Sequence, residues 1–181
     1  MKNFNGAFTK LRDMIANQEN FAFTRFSDGE LFIMQNKTEV LADNHYITGD
    51  IRGPNRYTKE EHKEFYPEKH QKYRQKLLEC YKHNQDRFVE EMVPLFVDRD
   101  IIYVVNSMAN VSNLPFEVKK TFEIGSNCMI NDYHVSENIK NYIQQNNITV
   151  HIILCSAASL SNFIIHDCFK DNDSNTFLDI G

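Results

Sequence analysis

The sequence predicts an α/β protein in which a mostly parallel β-sheet is flanked by helices. Short apolar segments alternate along the chain with amphipathic segments at helical spacing, a pattern typical of alternating strands and helices. One apolar segment, 101–105, is of the kind that is buried on both faces of a parallel sheet, and the segment 148–155 is the clearest strand in the chain. Small or polar residues follow the predicted strands directly, as expected where a ligand crevice forms at the carboxyl ends of the strands.

The first half of the chain contains one clear strand. Apolar residues at helical spacing predict a helix over 4–17, and the aromatic segment 21–26 predicts the first strand. A further helix is predicted through 31–34. The segment 37–67 is long, polar and irregular, which is uncommon inside a compact domain and often functional. A strongly charged helix is predicted over 68–97, and its proline is expected to break or bend it.

The second half of the chain continues the alternation. In the last predicted helix, four residues share the apolar face that is expected to point inward: Leu160, Phe163, Ile164 and Cys168. Together the elements predict a Rossmann-like arrangement. Strands are predicted at 101–105, around 122–124, at 148–155 and at 176–180, and helices at 135–145 and 156–169.

Length and composition indicate a single globular domain over residues 1–181. With 41% hydrophobic and 25% charged residues, the chain has an ordinary globular composition. A net charge of -5 argues against a general nucleic-acid binder, which needs a basic face. The N-terminus lacks the apolar core of a signal peptide, and no apolar run reaches the length of a membrane span. We therefore expect a cytoplasmic protein without an integral membrane segment, in which Cys155 and Cys168 are buried thiols.

The segment Arg25–Glu30, R-F-S-D-G-E, is the most informative part of the chain. Asp28 and Glu30 are two carboxylates at a predicted strand-to-helix turn, and Mn²⁺ or Mg²⁺ takes one or two protein carboxylates together with water and phosphate oxygens. Gly29 would let a ligand approach the backbone closely, and Arg25 could pair with a phosphate oxygen. The competing interpretation is a capping box, in which Ser27 and Glu30 satisfy backbone N–H groups and Asp28 complements the helix dipole. Local sequence alone favours the capping box.

Residues that follow two later strands are further candidates for ligand contacts. Asn106 and Ser107 follow the strand predicted at 101–105. Ser156 and Ala157 follow the strand predicted at 148–155, at the start of a helix, where N–H groups favour an anion. The alternative for the second pair is a serine N-cap with close packing of the helix on the sheet. The sequence contains no G-x-G-x-x-G, G-x-x-x-x-G-K-[ST] or G-x-S-x-G motif, and its seven histidines lack metal-ligand spacing.

Two segments together resemble the signatures of GT-D-type glycosyltransferases. Residues 23–30, F-T-R-F-S-D-G-E, resemble that family's S-R-F-G-D-G-E signature. Residues 154–160, L-C-S-A-A-S-L, followed by T-F-L-D-I-G at 176–181, resemble its second signature, in which a small-residue turn opens a helix and a strand ending in D-I-G follows. The segments occur in the expected order and bracket nearly the whole chain after the first helix. Ser27 stands where glycine is common, and the turn at 155–158 lacks the glycine and proline often found there.

The resemblance implies a GT-D-like fold and a metal-dependent sugar transfer, from a nucleoside-diphosphate sugar to a glycan, glycoprotein or lipid-linked acceptor. Asp28 and Glu30 correspond to the family's D-x-E carboxylates, which hold Mn²⁺ or Mg²⁺ against the donor diphosphate, so the metal site becomes the favoured interpretation. In that family the chain continues beyond D-I-G and supplies candidates for the catalytic base. Here Asp179 is the nearest candidate, and the chain can be a fragment or a shortened relative. The residues expected to contact the donor are Arg25, Ser27, Gly29, Asn106, Ser107, Ser156 and Ala157.

Two other classes of protein stay open on the sequence. A non-catalytic nucleotide-sugar binding module would keep the fold and lose the base. Another Rossmann-like enzyme with a nucleoside cofactor, such as a methyltransferase, would place glycine-rich backbone at the first turn and would not need paired carboxylates.

Overall fold

A computed structural model of the chain describes residues 2–25 and 82–181. The helix predicted at 31–34 and the polar segment 37–67 lie outside the described residues. Residues 82–96 form a segment that we call the mixed helix, because it runs from α-helix at 82–87 through a π-helical turn (Phe88–Met92) to a 3₁₀ turn (Val93–Phe96). The other helices and strands are α1 (Lys2–Ala16), β1 (Ala22–Phe23), β2 (Ile101–Asn106), a 3₁₀ turn (Val111–Asn113), β3 (Val118–Ile124), α2 (Cys128–Asn131), α3 (Val135–Gln145), β4 (Ile152–Cys155), α4 (Leu160–Asp171) and β5 (Thr176–Asp179).

The five strands form one sheet in the order β1-β5-β4-β2-β3, and every neighbouring pair is parallel. The middle strand of the sheet is β4, in which Ile153 lies opposite Ile102 of β2 and Phe177 of β5. All carboxyl ends of the strands therefore meet at one edge, which we call the carboxyl edge. The predicted α/β class with a parallel sheet flanked by helices is confirmed.

Alternate residues of the central strands face two different helical layers. In β4, Ile153 and Cys155 pack in the cluster that contains α3 and α4, whereas Ile152 and Leu154 pack in the cluster that contains α1 and the mixed helix. All four side chains are fully buried. Burial on both faces explains why the sequence of this strand is a continuous apolar run rather than an alternating one.

The strand predicted at 148–155 begins four residues late, at Ile152. Val150 has a φ of 62°, which turns the chain, and its N–H donates to the carbonyl of Ser174. The N–H of His151 donates to the side chain of Asn175 instead of to a strand. The first half of the apolar run is therefore a turn held by the loop before β5, and His151 precedes the strand in which we expected it.

The helix predicted at 156–169 also begins late, at Leu160, because Ala158 has a φ of 47° and the preceding residues form a turn. The inward position predicted for Phe163 is wrong. Its ring is 44% exposed and meets the ring of Tyr133 edge-on at 5.8 Å. The other three residues predicted on the apolar face are buried.

The remaining elements occur where they were predicted, although two of the strands differ in length. The helix predicted at 135–145 has those bounds, and Pro94 lies in the 3₁₀ turn of the mixed helix, where regular α-helix has ended. The strand predicted around 122–124 is longer, since β3 pairs with β2 from Val118 to Ile124, with one register shift at Lys119. In contrast, β1 is reduced to the two residues that pair with β5.

Candidate functional site

The topology places a switch point at the carboxyl ends of β2 and β4, and we call the position between these two strand ends the crevice. From β2 the chain leads to β3, and Phe116 in that connection packs on the layer of α1. From β4 the chain leads through α4, in the opposite layer, to β5 on the other side. The two connections leave in opposite directions along the sheet and lie in opposite helical layers. The position between β2 and β4 is therefore the switch point at which open α/β sheets bind ligands.

Asn106 and Ser107 lie on the β2 side of this crevice. The side-chain oxygen of Asn106 accepts a hydrogen bond from the N–H of Met108 at 2.9 Å, so it fixes the turn that leaves the strand. The N–H of Ser107 donates to the carbonyl of Ile124 in β3 at 2.9 Å. Ser107 is exposed and Asn106 is half-buried, so both predicted residues border the crevice while their hydrogen bonds shape its wall.

Ser156 and Ala157 lie on the β4 side. The hydroxyl of Ser156 shares a hydrogen bond of 2.9 Å with that of Tyr103, which reaches across from β2. The N–H of Ala157 donates to the hydroxyl of Ser161, the second residue of α4, at 3.0 Å. This N–H is therefore used within the helix start, and the hydroxyl pair of Ser156 and Tyr103 is the polar group that links both sides of the crevice.

Arg25, Asp179 and Gly181 form a hydrogen-bonded group at the ends of β1 and β5. The N–H of Arg25 donates to Oδ2 of Asp179 at 3.2 Å, and its Nη2 donates to Oδ1 at 3.3 Å. The N–H of Gly181 donates to the same Oδ1 at 3.1 Å. Gly181 has a φ of +131°, and a Cβ at this position would lie 3.4 Å from Nη2 of Arg25. The group joins the two segments on which the family resemblance depends.

The two charged side chains of this group differ sharply in exposure. The Asp179 side chain is 4% exposed and the Arg25 side chain is 53% exposed. A buried carboxylate is costly unless donors surround it, and three N–H groups do so here. The carboxylate predicted as a base thus lies inside the edge of the sheet, with its oxygens bonded to Arg25 and Gly181.

The predicted metal ligands Asp28 and Glu30 lie outside the described residues, as do Ser27 and Gly29. Within 2–25 and 82–181, no group of three or more histidine, cysteine or acidic side chains is placed to hold a metal ion. In the same part of the chain, every helix is too short or too polar to cross a membrane.

The thiols near the sheet are not arranged as nucleophiles. Burial raises the pKa of Cys155 well above its ordinary value and that of Cys168 to about 12, so both stay protonated at neutral pH. Both are free and buried, as the apolar sequence around them predicts.

Tyr103 and Gly181 are the site residues that sequence reasoning missed. A tyrosine within the apolar run I-I-Y-V-V carries a hydroxyl that needs a partner when buried, which is a usable signal. Gly181 could have been recognised from its place two residues after Asp179, where its N–H donates to the carboxylate and its positive φ favours glycine.

Comparisons of the chain with protein-family models, with curated proteins and with solved structures find no match. The class of protein is therefore defined by the fold and the edge geometry. It is an α/β protein with a five-stranded parallel sheet, whose carboxyl edge carries a hydroxyl pair between β2 and β4 and a buried aspartate bonded to an exposed arginine.

Proposed function

We propose that the chain is a metal-dependent glycosyltransferase with a GT-D-like fold, which moves a sugar from a nucleoside-diphosphate sugar to a glycan, glycoprotein or lipid-linked acceptor. The observation that carries the proposal is the contact of Arg25 with Asp179 and Gly181. It joins the two signature segments through Arg25 and Asp179, which are 154 residues apart in sequence. Asp28 and Glu30 follow Arg25 in the same segment by three and five residues.

The dimensions of the carboxyl edge suit such a donor. Three spacings of about 4.8 Å separate β1 from β2 in the sheet order, or about 14 Å in all. An extended nucleoside-diphosphate sugar is long enough to reach from Arg25 to the crevice at Ser156 and Asn106. The exposed guanidinium suits the diphosphate, since arginine pairs with phosphate oxygens through a fork of N–H donors.

Asp28 and Glu30 would hold Mn²⁺ or Mg²⁺ beside the same phosphates. Bound there, the metal supplies positive charge that stabilises the leaving nucleoside diphosphate. In this proposal Arg25 binds and orients the diphosphate, and the nucleoside extends toward the hydroxyl pair of Ser156 and Tyr103. The free, buried cysteines fit the reducing compartment in which we expect the protein, the cytoplasm.

Thermal unfolding with UDP and with GDP tests the metal-bridged site. At a ligand concentration of about 100 times Kd, binding adds about 2.7 kcal/mol, which raises the Tm of a domain of this size by about 5–10 °C. We expect this rise only when Mn²⁺ or Mg²⁺ is present, and we expect it to vanish in Asp28→Asn and Glu30→Gln. Matched controls are Asp98→Asn and Glu90→Gln, which change exposed acids elsewhere and should keep the full rise.

An equal rise without metal, or in the Asp28→Asn protein, would contradict the proposed site. Transfer itself is measured as release of nucleoside diphosphate from UDP- and GDP-sugars in the presence of Mn²⁺, with and without saccharide acceptors. The activity should be absent from both metal-site variants and present in both controls.

One observation favours a second candidate, the non-catalytic nucleotide-sugar binding module. The carboxylate of Asp179 is bonded to three donors, so within the described residues the predicted base is not presented to an acceptor. Metal-dependent binding without donor hydrolysis or transfer would identify the module.

A further inference from the structure

We infer that Asp179 is a positioning residue that holds the guanidinium of Arg25 at the carboxyl edge for an anionic ligand group, and not the base that activates an acceptor. The identity of that anion, a metal-bound diphosphate, rests on the proposed function. The positioning itself rests on the geometry of three residues, Arg25, Asp179 and Gly181.

The placement of the carboxylate separates these two roles. A general base must come within about 2.6–3.2 Å of the proton that it takes. Both oxygens of Asp179 are instead bonded to the backbone or side chain of Arg25 and Gly181, and the side chain is almost completely buried. A carboxylate in this position acts on its arginine neighbour.

Among the described residues, the guanidinium of Arg25 is held through one nitrogen only. Nη2 of Arg25 donates to Asp179, whereas Nε and Nη1 make no hydrogen bond with any residue in 2–25 or 82–181. Because the side chain is half-exposed, these remaining donors can form the two-pronged contact with phosphate oxygens for which a guanidinium is suited.

Gly181 keeps room beside the guanidinium. A Cβ at this position would contact Nη2, Nη1 and Cζ of Arg25 at 3.4, 3.7 and 3.9 Å, and the φ of +131° disfavours any other residue. In the D-I-G segment the aspartate therefore orients the arginine, and the glycine adds no side chain beside the guanidinium.

The test is a double-mutant cycle on the affinity for UDP and GDP, each with Mn²⁺, measured by calorimetry. Arg25→Ala and Asp179→Asn should each weaken binding about tenfold, and the double variant should be no weaker than Arg25→Ala, because the aspartate acts through the arginine. Asp171→Asn, an exposed acid on α4, is the matched control and should bind as the wild type does.

Two results would overturn the inference. One is an Asp179→Asn protein with unchanged affinity and lost turnover, which would identify a base. The other is a double variant whose losses add, which would show that the two residues act independently. If Asp179→Asn does not fold, Asp179→Glu keeps the charge, shifts the carboxylate by one methylene and takes its place in the cycle.

A ligand-free measurement separates this inference from the proposed function. Rotation of the Arg25 guanidinium, followed by NMR of the ¹⁵N-labelled side chain, should be slow in the wild type and faster in Asp179→Asn. Arg99, whose side chain bonds only to the carbonyls of Ile15 and Val150 among the described residues, should not change. Failure of the wild type to bind UDP or GDP would overturn the proposed function. The NMR result would still test the positioning role of Asp179, which unchanged rotation of Arg25 in Asp179→Asn would overturn.

Discussion

Replacing Asn175 by alanine should destabilise the protein by about 2–4 kcal/mol while leaving the carboxyl edge intact. Asn175 is fully buried and directly precedes β5, so it lies at the opposite end of the sheet from the candidate site. Its Nδ2 donates to the carbonyl of Ile148 at 2.9 Å and to Oδ1 of Asn172 at 2.8 Å. Its Oδ1 accepts the N–H of His151 at 2.9 Å.

The magnitude follows from counting the groups that lose a partner. Oδ1 of Asn172 keeps two hydrogen bonds from Ser174, at 2.9 and 3.2 Å. The N–H of His151 and the carbonyl of Ile148 lose theirs, at about 1–2 kcal/mol for each group left unsatisfied. A loss of about 3 kcal/mol lowers the Tm of a domain of this size by about 6–12 °C.

Unfolding in urea measures the loss, and Asn141→Ala on the exposed side of α3 is the control, expected within about 0.5 kcal/mol of the wild type. Equal stability of the two variants would refute the reasoning. Asn175→Asp gives a second signature, since its carboxylate would face two acceptor oxygens. That repulsion raises the pKa of the new carboxyl in the folded state, so the loss should shrink as the pH falls toward about 4 and the carboxyl can again donate.

Three further predictions concern charge, thiols and packing. Hydrogen bonds from Arg87 and, to a lesser extent, from Arg12 lower the pKa of Glu91 from 4.5 to about 2. A carboxyl group whose pKa is lower in the folded state stabilises the protein at pH values above its unfolded-state pKa. The wild type should therefore lose more stability than Glu91→Gln between about pH 5 and pH 2 in urea unfolding. Parallel losses in the two proteins would contradict this. Cys155 and Cys168 should resist iodoacetamide at pH 8 until urea unfolds the protein, as mass spectrometry can show; labelling of the native protein would contradict their burial. Ile164→Ala should cost about 2–5 kcal/mol in urea unfolding, whereas the exposed Ile130→Ala should cost less than about 1 kcal/mol; similar losses would place Ile164 outside the core.

The sequence predicts the central strands well because their burial is dictated by composition. A run such as Ile101–Val105 has no polar face to turn toward water, so it must lie between two layers. The same logic fails at Val150, where apolar residues continue although the chain turns. The positive φ and the hydrogen bond to Ser174 are tertiary features that periodicity does not contain.

Part of the candidate site could be predicted in the same way. That Asn106 and Ser156 meet at one edge follows from the parallel topology, which the alternation of elements predicts. The hydrogen bonds of Asp179 could not be predicted. An acidic residue after a strand gives the same sequence pattern whether its oxygens face a ligand or a neighbouring arginine. Only the burial and the three hydrogen bonds distinguish these cases.

The parallel pairing of β1 with β5 explains why that arginine and aspartate meet. Ala22 lies opposite Phe177 and Phe23 opposite Leu178, so extending this register by one residue brings Asp179 level with the residue before Arg25. The carboxylate can then accept the Arg25 N–H and still reach its guanidinium. The register of β1 on β5 therefore decides which side chains meet here. A shift of one residue would turn the Asp179 side chain to the opposite face of the sheet. The two signature segments are therefore coupled through strand register, although nothing in either sequence alone specifies the other.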